Sequence, residues 1–198
     1  PMIYKILAFI LGFTCFIVQL VLLREFMNLF MGNELVIEIM LSLWMLLTAA
    51  GAWLGLRIQR AERISFSVFS FLLLTGLSPI AGAFLTVWSR SAMFAPGAMI
   101  SLQGTLQLSL AGLIVFCLVS GMMFTLLAVA FSRQSDRGGI SRIYALEALG
   151  SLGGGLLFNF VLIYTFTSMQ ILLLIMGINM MAATVWAISR KKTAMTAI

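Results

Sequence analysis

The chain has 198 residues, of which 62% are hydrophobic and 9% charged, with a mean hydropathy of +1.14 and a net charge of +6. A soluble domain carries about 25% charged residues, so this composition excludes one and indicates an integral membrane protein. The basic excess does not call for nucleic acid, because the charges stand in short segments between apolar runs, where membrane orientation accounts for them.

The first apolar run, 3–30, is too long for a signal-peptide core and reads as a retained span. Met31-Gly32-Asn33 is expected to form a tight outer turn, with Gly32 allowing the reversal and Asn33 capping the next helix. The second span is 34–56, followed by a basic loop at 57–65. The third, 66–88, contains Pro79, which predicts a kink or local break near Leu77. An outer loop at 89–100 turns at Pro96-Gly97. The fourth span is 102–131, and a second basic loop, 132–141, flexes at Gly138-Gly139. The fifth span, 142–166, turns at Thr167-Ser168 into the sixth, 169–188. Each run reaches the roughly 20 residues that cross a bilayer. Trp88 and Trp186, near span ends, are expected as interfacial anchors. The predicted fold is all-α: six transmembrane helices in one bundle over 1–189, resembling half of a transporter-like fold, with a basic tail at 190–198.

Ten of the twelve basic residues fall on one side of these spans: Lys5, Arg57, Arg60, Arg63, Arg133, Arg137, Arg142, Arg190, Lys191 and Lys192. Positive residues stay inside, so both termini are expected in the cytoplasm, with the bacterial cytoplasmic membrane as the expected location. Arg90 lies on the opposite side and Arg24 inside a run.

Arg24 defines a first constellation with Gln19, Glu25, Asn28, Glu34 and Glu38. At about 1.5 Å rise per residue, Arg24 and Glu38 lie at similar depths on facing helices of the first hairpin. The expectation is an Arg24–Glu38 pair, since an unpaired intramembrane charge is costly. Glu34 and Glu38, four residues apart, share a face and repel. The group reads as a structural ion pair with interfacial carboxylates, as an outward acidic pocket for a cation or proton, or as a subunit-docking site.

A second constellation is Tyr144, Glu147, Gly150, Ser151, Gly154 and Asn159 on the fifth span. Gly150 and Gly154 allow close helix approach, with Gly51 and Gly55 on the second span as expected counterparts. Glu147 is placed to reach toward Arg142 or the other basic loop as an ion pair, or to serve as a substrate or proton site. The run Gly153-Gly154-Gly155 is not a nucleotide loop, because it lacks the preceding strand and the water-accessible helix start. Cys15 and Cys117 read as separate apolar thiols rather than a disulfide or metal pair. The chain has no histidine, which argues against histidine-ligated haem, a typical zinc site and a histidine proton relay. No cofactor is expected.

The stretch from Gly12-Phe13-Thr14 through Gln19 to Leu23-Arg24-Glu25-Phe26, with Gly32-Asn33-Glu34-Leu35, resembles the start of bacterial membrane-bound spermidine synthase-like proteins. Gly51-Ala52-Trp53-Leu54-Gly55 and Ile143-Tyr144-Ala145-Leu146-Glu147-Ala148-Leu149-Gly150 resemble the same membrane region. The resemblance implies a transporter-like membrane part of a polyamine aminopropyltransferase, either as a stand-alone relative or as part of a longer protein. The family's soluble catalytic fold has no place within these residues, so none of its catalytic residues is carried over. The expected function is a non-catalytic membrane domain or accessory subunit. It would anchor or organise a protein partner, either other membrane subunits or a cytoplasmic domain. The alternative is a transporter-like module for a cation such as a polyamine, and a third reading is a membrane enzyme or quinone site.

Overall fold

The computed structural model describes residues 2–30, 34–58, 64–94, 100–133 and 139–195, and side chains are described except at 58, 64–67 and 190–195. The expected 31–33 turn, Arg60, Arg63, the Pro96-Gly97 turn, Arg137 and Gly138 lie outside these residues. So do the side chains of Arg190, Lys191 and Lys192. The described residues are helical throughout apart from short connections, without a strand among them. The helices are α1 (Met2–Leu29), α2 (Glu34–Ile58), α3 (Ile64–Met93), α4 (Leu102–Ser132), α5 (Gly139–Leu157), α6 (Ile163–Thr165) and α7 (Ser168–Met195), with a π-helical stretch, Phe158–Leu162, joining α5 to α6. Six segments are long and apolar enough to cross a membrane, the fifth being the α5–α6 composite Gly139–Thr165.

Local chemistry explains several boundaries. Ser101 has extended backbone and accepts the Gly104 amide at 3.2 Å, capping α4. Thr167 and Gln170 form a reciprocal capping box at the start of α7, with bonds of 2.9 and 3.4 Å. In the π-helical stretch, the Asn159 side-chain amide donates to the Gly155 carbonyl at 2.9 Å. That carbonyl is the acceptor an α-helical Asn159 N–H would use, so competition for it favours the wider i→i−5 pattern. The cap at Ile163 donates to Phe158 in that pattern.

The helices differ from the expected boundaries in two places, while the sixth apolar span, Ser168–Ser189, agrees with the expected 169–188. Of the kink or local break expected near Leu77, the break does not occur: helix α3 runs on through buried Pro79 and carries Arg90 in its last turn. Proline removes one backbone donor, and packing on both sides holds the segment helical despite that loss. Helix α7 continues to Met195, so the first residues of the basic tail are helical.

Helices α1 and α4 occupy the centre. Half of α1's most apolar window is buried and 67% of α4's, against 22% for α2. Helix α1 packs mainly on α5, α2 on α4, and α3 on both α4 and α7. Helices α1 and α2 follow each other in sequence but barely touch. Glycines permit the two closest pairings. A β-carbon at Gly12 would meet the Glu147 carbonyl of α5, and one at Gly150 would meet the Phe9 carbonyl of α1. Gly154 packs on Phe13 in the same interface. Gly51 lies against Leu118, and Gly55 against Met122 and Thr125, all on α4. The expected pairing of Gly51 and Gly55 with Gly150 and Gly154 is therefore corrected: each pair seats its own helix on a different partner.

The core falls into two apolar layers stacked along the bundle. One gathers Tyr4, Leu11, Leu72, Met123, Phe131, Ile143 and Trp186. The other gathers Ile17, Leu22, Phe26, Met40, Phe116, Phe158 and Ile171. Trp186 is 1% exposed and meets the Tyr4 ring edge-on at 5.3 Å, so it is a core residue and not an interfacial anchor. Trp88 is 60% exposed near the end of α3. Where the layers meet, buried Asn179 donates from Nδ2 to Thr14 Oγ1 and to the Ile175 carbonyl, both at 2.9 Å.

Lys5 stands 5.9 Å from the Phe131 ring, and the Thr125 hydroxyl of α4 donates to Ala52 of α2 at 3.1 Å. Lys5, Arg57, Arg133 and Arg142 consequently share one end of the bundle, and Arg24 and Arg90 stand toward the other.

Gly150→Leu is expected to destabilise the fold by about 1–3 kcal/mol through forced separation of α1 and α5. Gly177→Ala, at a position with nothing within 4 Å of a β-carbon, is expected to be neutral or to stabilise by about 0.5–1 kcal/mol. Thermal midpoints of the purified variants compare them. Thr14→Val, which removes the acceptor for Asn179, is expected to cost about 1 kcal/mol in a denaturation titration.

Candidate functional site

Because α1 leans on α5 and α2 on α4, the face of α1 that a close hairpin would cover is left open. A cleft of about 280 Å³ lies there, lined by α1, α2, α4 and α5. Glu147 and Tyr144 come from α5, Gln19 and Cys15 from α1, Thr48 and Trp44 from α2, and Ser120 and Phe124 from α4. The Ser151 hydroxyl is 3.3 Å from Glu147 Oε1 and 3.2 Å from the Gly12 carbonyl, tying the carboxylate to the α1–α5 contact. Tyr144 meets Phe124 edge-on at 6.2 Å. Among the described residues, Glu147 is the single carboxylate lining this cleft, and the other lining groups are neutral. The expected ion pair of Glu147 with Arg142 does not form: the hydroxyl of Ser151 is the partner it finds on its own helix. Cys15 and Cys117 are free thiols.

A second and larger cavity, about 830 Å³, lies toward the opposite end between α1, α3 and the turn from α6 into α7. Arg24, Glu25 and Asn28 line it from α1, Thr86 and Arg90 from α3, and Thr167 and Ser168 from the turn. Phe84, Val87, Met169 and Leu172 supply apolar walls. The Thr86 hydroxyl donates to the Gly82 carbonyl at 2.8 Å, which leaves its oxygen as an acceptor.

The structure thus divides the first constellation. Arg24, Glu25 and Asn28 remain together, joined by Arg90. Gln19 belongs to the Glu147 cleft. Glu34 and Glu38 are exposed on α2 and line neither cavity. The Arg24–Glu38 pair is corrected: Arg24 Nη1 is buried without a hydrogen-bond partner, because α2 packs away on α4 and takes Glu38 with it. Sequence reading missed Arg90 as a companion of Arg24, although both stood apart from the ten basic residues on the other side. It also missed Asn179 and Thr14, single polar residues inside apolar runs whose pairing spans 165 positions.

No protein-family model, curated protein or solved structure matches the chain.

A double-mutant cycle with Arg24→Gln and Glu38→Gln is expected to give a coupling energy within about 0.5 kcal/mol of zero. A coupling of several times that size in thermal or chemical denaturation would restore the hairpin pair.

Proposed function

We propose that the chain is a six-span integral membrane domain, oriented with both termini in the cytoplasm, that binds a small cationic amine in the cleft around Glu147. One observation carries this reading: a carboxylate within an apolar helix faces a cleft whose other described lining groups are all neutral. Such a group is costly in a bilayer without a counter-charge, and an ammonium supplies one. At about 280 Å³ the cleft falls just below the common 300–1,000 Å³ range of ligand pockets. That size suits a slender amine or one ammonium end of a polyamine. Tyr144 and Trp44 offer ring faces that attract cations, and Gln19 offers an amide carbonyl. The motif resemblance to the membrane region of spermidine synthase-like proteins makes a polyamine the first amine to try. Of the carboxylates expected to serve a cation, Glu34, Glu38 and Glu147, this reading keeps Glu147, and it assigns the domain no catalytic step.

A second reading is the anchoring or organising domain for a partner. It rests on α7, which runs on as helix through 189–195 at the same end as Lys5, Arg57, Arg133 and Arg142, and so offers a rigid connection from the bundle to its surroundings.

Spermidine binding to the purified full chain, measured by calorimetry in neutral detergent, separates the two. Glu147→Gln is expected to weaken binding at least about tenfold, on the order of 1.4 kcal/mol, while Glu38→Gln leaves it unchanged. Equal affinity in wild type and Glu147→Gln would remove the cleft from consideration. Absence of binding to the wild type would leave the anchoring reading.

A further inference from the structure

The cavity between α1, α3 and α7 presents a charge problem that the amine cleft does not address. Two arginines from different helices line one cavity, and among the described residues the single carboxylate lining it is Glu25. Arg24 Nη1 and Arg90 Nε are both buried and lack hydrogen-bond partners. Arginine is always charged and presents its donors in a rigid fork. A buried donor left unmade is expensive, more so on a charged group. Among the described lining residues, two arginines against one glutamate leave one positive charge without compensation. An anion with several acceptor oxygens would compensate that charge, and phosphate matches the guanidinium fork.

The walls narrow the source of the phosphate. Phe84 is 67% exposed, Val87 55% and Met169 47%, so the cavity opens sideways through apolar side chains toward the surroundings of the bundle. A soluble anion gains nothing from such an opening, whereas an acyl chain does. Asn28 and Glu25 add polar groups beside the arginines, suited to the hydroxyls of a polar headgroup. We propose that this cavity is a binding site for an anionic phospholipid, with the phosphate held by Arg24 and Arg90 and the acyl chains leaving past Phe84, Val87 and Met169. The site is separate from the Glu147 cleft and does not depend on what that cleft binds.

The full chain, purified in neutral detergent and stripped of lipid, is titrated with dioleoylphosphatidylglycerol. Dioleoylglycerol and inorganic phosphate are titrated in parallel, with adducts followed by native mass spectrometry and stability by thermal midpoint. Phosphatidylglycerol is expected to bind at least about tenfold more tightly than dioleoylglycerol, a step worth one decade in affinity. R24Q/R90Q should lose that preference, R24K should keep part of it, and R57Q, at the other end of the bundle, should keep all of it. If R24Q/R90Q fails to fold, R24Q and R90Q singly carry the same comparison. Equal binding of the two lipids, or a preference that survives in the arginine variants, would overturn the site. Stabilisation by inorganic phosphate that needs both arginines, without a preference for phosphatidylglycerol, would overturn the lipid source and assign the site to a soluble oxyanion.

Discussion

The backbone-to-backbone approach of α1 and α5, at Gly12 against Glu147 and Gly150 against Phe9, sets the positions of the remaining parts. Apolar helices in an apolar solvent gain little from burying hydrophobic surface against each other, so close packing through small residues and hydrogen bonds decides which helices meet. Once α1 is committed to α5, it cannot also lie along α2. Helix α2 instead finds α4, where Gly51, Gly55 and Gly121 permit a comparable approach, and the Thr125 hydroxyl bridges to Ala52. The first two spans separate, and the Glu147 cleft lies in the space this leaves. The same contact holds Glu147 in place, since Ser151 reaches both its carboxylate and the Gly12 carbonyl.

The polar residues are distributed by the same logic. An unmet donor or acceptor inside the bundle requires a partner from another helix or from a ligand. Asn179 finds Thr14, and the pair marks the level where the two apolar layers meet. Glu147 finds a hydroxyl but no counter-charge among the described residues. Arg24 and Arg90 retain orphaned donors at the opposite end. The two cavities therefore have opposite electrostatic character, one centred on a carboxylate and the other on a pair of guanidinium groups. In the proposed orientation, the Glu147 cleft lies nearer the cytoplasmic end and the Arg24–Arg90 cavity nearer the outer end.

Much of the fold was legible because its signals are local. Six apolar runs gave six long helices, since a run of that length can satisfy its backbone groups within itself. Ser101 and the Thr167–Gln170 box set helix starts with chemistry contained in four residues. The failures had a common origin. The Arg24–Glu38 pair and the Gly51–Gly150 pairing both assumed which helices are neighbours, and near-uniform apolarity around each helix carries no face signal to choose them. Trp186 read as an anchor from its position in the chain, but its surroundings are set by Tyr4, which lies 182 positions away. Pro79 read as a kink or a break because the rule for it is local, while the packing that keeps α3 continuous there is not.

The sequence by itself determined the class of structure, the number and approximate extent of the helices, and the grouping of basic residues at one end. These follow from composition, run length and charge spacing, which act within a turn or a loop. Only the tertiary structure decided that α1 pairs with α5, that Glu147 faces a cleft with Gln19 and Tyr144, and that Arg24 shares a cavity with Arg90 and not a bond with Glu38. Those outcomes depend on close approach at glycines, where a difference of one β-carbon selects between neighbours, and no local pattern in the chain encodes which of several glycine faces will meet.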